Sequence, residues 1–258
     1  MPRSRDDALL AGMDPTGRFA DRAADYVRFR PDYPAAAIDA VLDGLIAPER
    51  LVAADVGAGT GISARLLADR GVRVLAIEPN AAMRAAAEPH ARVEWRAGTA
   101  EATGLGAASV QLVLCAQAFH WFRQAEAIAE FHRVLQPGGR LALMWNARDR
   151  DDPLTLGYID AIHAVNGEHP AEHRGIEPDV VEAGGFPPLR LLTFPHTQAL
   201  DLAGFIGRAT SASYVSKEPG ALAELVRLLT ALQARHADAR GCVTLRYRTE
   251  VHVTERSA

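Results

Sequence analysis

Between residues 51 and 145 the chain alternates short apolar runs with helix-like stretches. This rhythm restricts the fold more than anything else in its 258 residues. The runs are LVAADV (51–56), VRVLAIE (72–78), RVEWRA (92–97), VQLVLCA (110–116) and RLALMW (140–145). Apolar runs of this length suit strands buried on both faces, as in a parallel sheet covered by helices. After the first run come glycines and a helical stretch to about Arg70, and after the second comes helical AAMRAAAE. Before the fifth, Ile128, Phe131, Val134 and Leu135 keep helical spacing until PGG at 137–139 stops the helix. Strand and helix in alternation predict a doubly wound α/β sheet.

The flanks complete this picture. Residues 35–46 read as a helix with Ile38, Val41, Leu42 and Leu45 on one face. Over 243–253, Val243, Leu245, Tyr247, Val251 and Val253 alternate with polar residues, the pattern of a strand with one wet face and an antiparallel partner. LRLLTF (189–194) is the expected partner, and helical patterns near 199–209 and 219–235 lie between the two. The expected architecture is a Rossmann-like, doubly wound sheet of seven strands. It is mostly parallel, with an antiparallel C-terminal strand and a helical insertion at about 196–240 before it. One domain over 1–258 is expected, with a cap over 1–48, a binding core over 49–147 and a C-terminal half over 148–258. In open α/β sheets ligands bind at the carboxyl edge, where such an insertion would hang.

Composition removes several classes. An apolar share of 48% and a charged share of 23% do not fit a disordered chain. No apolar run reaches 18 residues, and the first 19 residues lack a secretory apolar core, so neither a membrane span nor a signal is read. Two cysteines, Cys115 and Cys242, make no disulfide framework and point to a reducing, cytoplasmic setting. A net charge of −4 gives no general pull toward nucleic acid. Nucleic acid and membrane are therefore not expected partners.

The first run ends in DVGAGTG, Asp55 to Gly61. Glycines at 57, 59 and 61 allow a sharp bend and a close ligand approach. A dinucleotide fingerprint would need glycine at 62, where Ile62 stands, and no Lys-Ser/Thr pair follows to make a P-loop. The second run ends in Glu78, where a carboxylate can accept two bonds from a ribose diol. These features predict a nucleoside over the first two strands, with a 5′ substituent other than a pyrophosphate.

The order Asp-x-Gly-x-Gly-x-Gly, then an acid ending the next strand, resembles the class I S-adenosylmethionine-dependent methyltransferases over roughly residues 15–258. GTAE (98–101) is similar to the family's adenine-binding segment. Thr99 stands where many members have Asp, so the backbone at Ala100 or the side chain of Glu101 would serve instead. YVRFRPDYP (26–34) and AQAFHWF (116–122) resemble the subgroup that includes trans-aconitate carboxyl methyltransferases. The resemblance implies S-adenosylmethionine as cofactor. It implies contacts to it from Tyr26, Arg30, Asp55, Gly57, Ala58, Gly59, Glu78, Pro79, Met83, Thr99, Ala100, Glu101, Ala116, Gln117 and Trp121. Tyr26 and Arg30 would lie near the methionine end, with Arg30 pairing bidentately with its carboxylate.

Methyl transfer from a sulfonium is an in-line displacement. Holding donor and acceptor about 3–3.5 Å apart can lower the barrier by about 7–11 kcal/mol. A base is needed only where the acceptor must lose a proton. His120 is the candidate catalytic residue, as base or as hydrogen-bond partner of the acceptor. For a carboxylate acceptor, His120, Arg28 or Arg30 would hold the anion. Phe119, Trp121 and Phe122 could wall the site, and Phe205, Ser211 and Tyr214 of the insertion could shape the acceptor pocket. HPAEH (169–173) satisfies a zinc pattern, yet Pro170 breaks the helix that would align its histidines, and no metal is expected. Cys115 reads as a buried small hydrophobe.

The expected function is methyl transfer to a small-molecule oxygen, carboxylate or hydroxyl, by a monomer or homodimer. The alternative is a non-catalytic cofactor-binding regulator or interaction protein. A nicotinamide oxidoreductase has the wrong spacing at Ile62. QAFHWF is unlike the Asn/Asp-Pro-Pro-aromatic signature of DNA amino methylation.

Overall fold

In the computed structural model, which describes residues 29–167, 175–212, 215–216 and 218–257, seven strands form one sheet. They are β1 (Val52–Val56), β2 (Arg73–Ile77), β3 (Val93–Arg96), β4 (Val110–Ala116), β5 (Leu135–Arg148), β6 (Arg190–Leu200) and β7 (Val243–Glu255). Their spatial order is β3-β2-β1-β4-β5-β7-β6. Neighbours from β3 through to β5 pair in parallel, and β7 pairs antiparallel with both β5 and β6. The chain winds outward from β1 to β3, then restarts beside β1 with β4. The crevice between the carboxyl ends of β1 and β4 is therefore the topological switch point.

The central strands are apolar because both faces are covered. Ala53, Val74, Leu112, Leu114, Ala142 and Met144 face one core, shared with α1 (Ala35–Leu42) and α2 (Ile62–Ala68). Ala54, Val56, Ile77, Val113, Cys115, Leu141 and Leu143 face the other, shared with α4 (Gln124–Val134) and α6 (Pro178–Ala183). Between α2 and α4 lies the short α3 (Ala81–Ala85), capped by the Asn80 side chain, which accepts from the Ala82 and Met83 N–H groups. A third core joins α5 (Pro153–Asn166), α7 (Leu202–Thr210) and α8 (Pro219–His236) to Leu200 of β6 and to Val243, Leu245 and Tyr247 of β7. These are the ends of β6 and β7 from the last β5 pair, Arg148 with Tyr247, onward. The insertion thus sits at the carboxyl edge.

Several expectations change in detail. Leu135 is the first residue of β5 and does not belong to the helix before it. PGG does not lead up to a strand; it lies inside one, as a bulge. Val110 pairs with Leu135 and Leu112 with Arg140, so the pairing advances two residues on β4 and five on β5. The bulged glycines pair with Arg256, whose N–H donates to the Gly139 carbonyl and whose carbonyl accepts from Gly138 N–H. β6 extends past 194 to Leu200, so the helical insertion begins at Asp201. It tolerates Pro195 because it is the edge strand. The α5 and α6 helices were not anticipated. The signal for α5 was present: Asp152 accepts the Thr155 N–H as cap, Pro153 follows it, and Leu154, Tyr158, Ala161 and Ile162 are buried at helical spacing. Among the described residues, no helix is long and apolar enough to cross a membrane.

Candidate active site

The turn after β1 is built from backbone conformations that side chains disfavour. Gly57, Gly59 and Gly61 have φ of 71°, 58° and 81°. Space forbids a side chain at two of them as well. A Cβ on Gly57 would lie 2.7 Å from the Ala118 Cβ and 2.9 Å from the Phe122 ring, and one on Gly61 would lie 2.8 Å from the Trp95 ring. The loop is thereby pressed between the turn that follows β4 and the Trp95 ring of β3.

Glu78 ends β2 and ties that loop down. Its Oε2 accepts the Gly59 N–H at 2.9 Å and its Oε1 accepts the Asn80 N–H at 2.9 Å. A carboxylate oxygen has more than one acceptor direction, so both can still meet a diol. Burial pushes the Glu78 carboxyl above its ordinary range, and the bonds from Asn80 and Gly59 pull it back. Asp55, at the end of β1, is completely buried, and burial pushes it up to about 7 despite a bond from the Ser63 hydroxyl at 2.7 Å.

The segment after β3 makes a tight turn in which Thr99 and Ala102 exchange both backbone hydrogen bonds at 3.2 Å. Those bonds leave the peptide groups of Ala100 and Glu101 at the tip. Glu101 accepts the Arg123 N–H at 2.9 Å at the start of α4, so one of its carboxylate oxygens already serves the fold. Thr103 is fixed by its hydroxyl and N–H, both donating to Glu130.

At the end of β4 the backbone turns abruptly. Gln117 has φ of 55°, unusual for a residue with a side chain. Its N–H donates to the Met144 carbonyl at 2.8 Å, and its side-chain amide lies 3.4 Å from the Asn146 carbonyl. The turn leads into a short 3-10 helix, Phe119–Trp121. Phe119 is fully buried against Phe122 and Phe131 and is core rather than site wall. Phe122 packs on the same core and against Gly57. His120 and Trp121 remain half-buried side by side, with ring centroids 4.9 Å apart.

The N-terminal segment is fastened to both the sheet and the insertion. The Phe29 carbonyl accepts from Gln198 at 3.0 Å, and the Asp32 carbonyl accepts from Asn146 at 2.9 Å. Asn146 in turn accepts from the Thr249 hydroxyl. The Phe29 ring lies so close to Gly207 on α7 that a Cβ there would be 2.5 Å away. Arg30 lies 3.5 Å from the Ser211 carbonyl just past α7. Asn146, Gln198 and Gly207 were missed in the sequence, although the rule that ligands bind at the carboxyl edge of the sheet applies to the end of β5 as well. Tyr26, Arg28, Tyr214 and the HPAEH stretch lie outside the described residues. Among the described residues, no group of His, Cys, Asp or Glu could hold a metal ion.

Residues 54–143 match the family model described as a methyltransferase domain. A methyltransferase-like protein of Schizosaccharomyces pombe, itself uncharacterized, is 32% identical over 207 residues, covering 78% of this chain and 79% of the relative. The chain is a class I S-adenosylmethionine-dependent methyltransferase. A solved structure from Anaeromyxobacter dehalogenans, provisionally named a type II methyltransferase, is 29% identical with a TM-score of 0.61, covering 89% of this chain and 98% of that one. A phosphoethanolamine N-methyltransferase of Haemonchus contortus, in complex with phosphomonomethylethanolamine and S-adenosylhomocysteine, shares the fold at 16% identity and a TM-score of 0.53, over 95% of this chain and 58% of that one.

The residues present fit the methyltransferase cofactor. Beside the glycine loop, Asp55 Oδ1 and Thr60 Oγ1 are buried without a hydrogen-bond partner. Such orphaned acceptors are rare in folded proteins and are what a polar ligand would satisfy. When bound, S-adenosylmethionine supplies an electrophilic methyl group on a positively charged sulfur.

Proposed function

We propose that this methyltransferase modifies an oxygen of a small molecule, a carboxylate or a hydroxyl, at the carboxyl ends of β4 and β5. In this proposal Glu78 takes the ribose diol. Gly57, Ala58 and Gly59 let the ligand lie against the backbone. Pro79, the buried Met83, Thr99, Ala100 and Glu101 surround the adenine. Asp55, Ala116, Gln117, Trp121 and Arg30 bound the methionine end. His120 meets the acceptor.

The observation that carries a small acceptor is the roof. Asn146 and Gln198 hold the Phe29–Asp32 backbone onto the sheet, and Phe29 fills the space left by Gly207 on the insertion. A roofed carboxyl edge suits a ligand that is enclosed, not a duplex or a folded protein laid across it. A reducing compartment suits the two free cysteines, of which Cys115 is buried, its thiol pushed well up by burial. The test is a screen of carboxylic acids and phenols with labelled methyl donor. Transfer of label to a member of either class, lost in Glu78→Ala, is the expected result. Transfer only to protein or nucleic acid would refute a small acceptor.

A further inference from the structure

A neutral imidazole carries one N–H and one bare nitrogen, and its neighbours decide which is which. An indole nitrogen can only donate. The Trp145 indole Nε1 lies 3.4 Å from His120 Nδ1 and donates to it. A second N–H at that position would clash with the indole's, so this contact favours a bare Nδ1 and a proton on Nε2. We infer that Trp145 is a positioning residue that holds His120 in its Nε2–H tautomer, so that His120 meets the acceptor as a hydrogen-bond donor rather than as its base. This inference rests on the proposed reading of His120 as the acceptor contact.

The fold fixes both partners. Trp145 is on β5 opposite Glu250 of β7, and its ring stands edge-on to His252 with centroids 5.9 Å apart. It also packs against the second core. His120 is held by the 3-10 turn after β4, the strand next to β5, and by its tilted contact with Trp121. Two adjacent strand ends therefore bring the rings together, and neither ring needs a ligand to do so.

The tautomer selects a kind of acceptor. A donor at Nε2 steadies an oxygen that already carries negative charge or a free lone pair. With a carboxylate, one oxygen takes the Nε2–H while a lone pair of the other forms the new bond to the methyl carbon. The electrons of the broken carbon–sulfur bond stay on sulfur. The methyl ester and the thioether are both neutral, and no proton moves. An unionised alcohol would need the base that this tautomer does not provide.

Nitrogen-detected NMR of the full chain, labelled at histidine, reads the tautomer without turnover. The His120 signals, assigned by their loss in His120→Gln, should show the Nε2–H form. In Trp145→Phe, which keeps a ring but removes the donor, they should shift toward the other tautomer while S-adenosylmethionine affinity stays within about twofold. Kinetics separate donor from base. His120→Gln, whose amide can donate from the Nε2 position, should hold kcat/KM within about tenfold, whereas His120→Ala should lose about 10–100-fold, chiefly in acceptor KM. An Nδ1–H tautomer in the wild type overturns the inference. So does a loss in His120→Gln as deep as in His120→Ala. If the Nε2–H form is found but both variants turn over at the wild-type rate, His120 is not the acceptor contact, and the failure lies with the proposed site rather than with the Trp145 contact.

Discussion

The carboxyl edge of the sheet is made in two ways. On the β1–β3 side it is written in backbone: three glycines at positive φ, peptide N–H groups on Glu78, and a turn at Thr99–Ala102. On the β4–β7 side it is written in side chains: Trp145 on His120, Asn146 on Asp32, Gln198 on Phe29. Backbone geometry suits a ligand whose shape never changes, because few substitutions preserve it. Side-chain contacts suit a ligand that differs from one enzyme to the next, because single substitutions can remake them. The two sides should therefore separate in experiment, one governing the donor and the other the acceptor.

The largest expected effect is on the donor side and is read from pH. Burial holds Asp55 at about 7, against 3.8 for the exposed group. The folded protein keeps a proton that the unfolded chain releases, so this group makes stability fall as pH rises from about 4 to 7. Asp55→Asn should remove that slope, which is worth up to about 4 kcal/mol across the window. Urea unfolding at several pH values compares the two slopes; equal slopes would mean that Asp55 ionises normally. Next, Gly57→Ala should destabilise by about 2–4 kcal/mol, through a strained φ and the clash with Ala118 and Phe122. Calorimetric melting checks this, and S-adenosylmethionine binding should fall with it. Glu78→Ala should weaken that binding by about 1–3 kcal/mol with acceptor KM unchanged, as titration calorimetry and kinetics would show. The smallest effect belongs to the other side. Asp201 caps α7 by accepting the Gly204 N–H at 2.7 Å, so Asp201→Ala should cost about 1 kcal/mol. It should raise acceptor KM and leave donor affinity alone. A matching loss of donor affinity would break the division.

The same division explains what could be read from the chain. Gly57 and Glu78 are legible because each is tied to the end of one strand, and the strands announce themselves as apolar runs. The positions of Phe119 and Phe122 were less legible. Both are aromatic residues beside a site, yet only three-dimensional packing shows that Phe119 belongs to the core. The contact between Asn146 and Asp32 joins residues 114 apart in sequence, and that between Gln198 and Phe29 joins residues 169 apart. Such pairs follow from strand register, which no local pattern states. PGG at 137–139 misled for a related reason: its turn chemistry is real, but Arg256, just past the end of β7, satisfies it within the strand. α5 was missed although its cap and spacing were visible.

The position of β7 has a consequence for how the molecule is made. It leaves the ribosome after β6 yet lies inside it, bonded to β5 along one side and to β6 along the other. Until residues 243–255 emerge, β6 has no docking strand and must wait with its edges open. The sheet is finished from the outside in, and a nascent chain halted before that point would carry two orphaned edges, those of β5 and β6, to the chaperones.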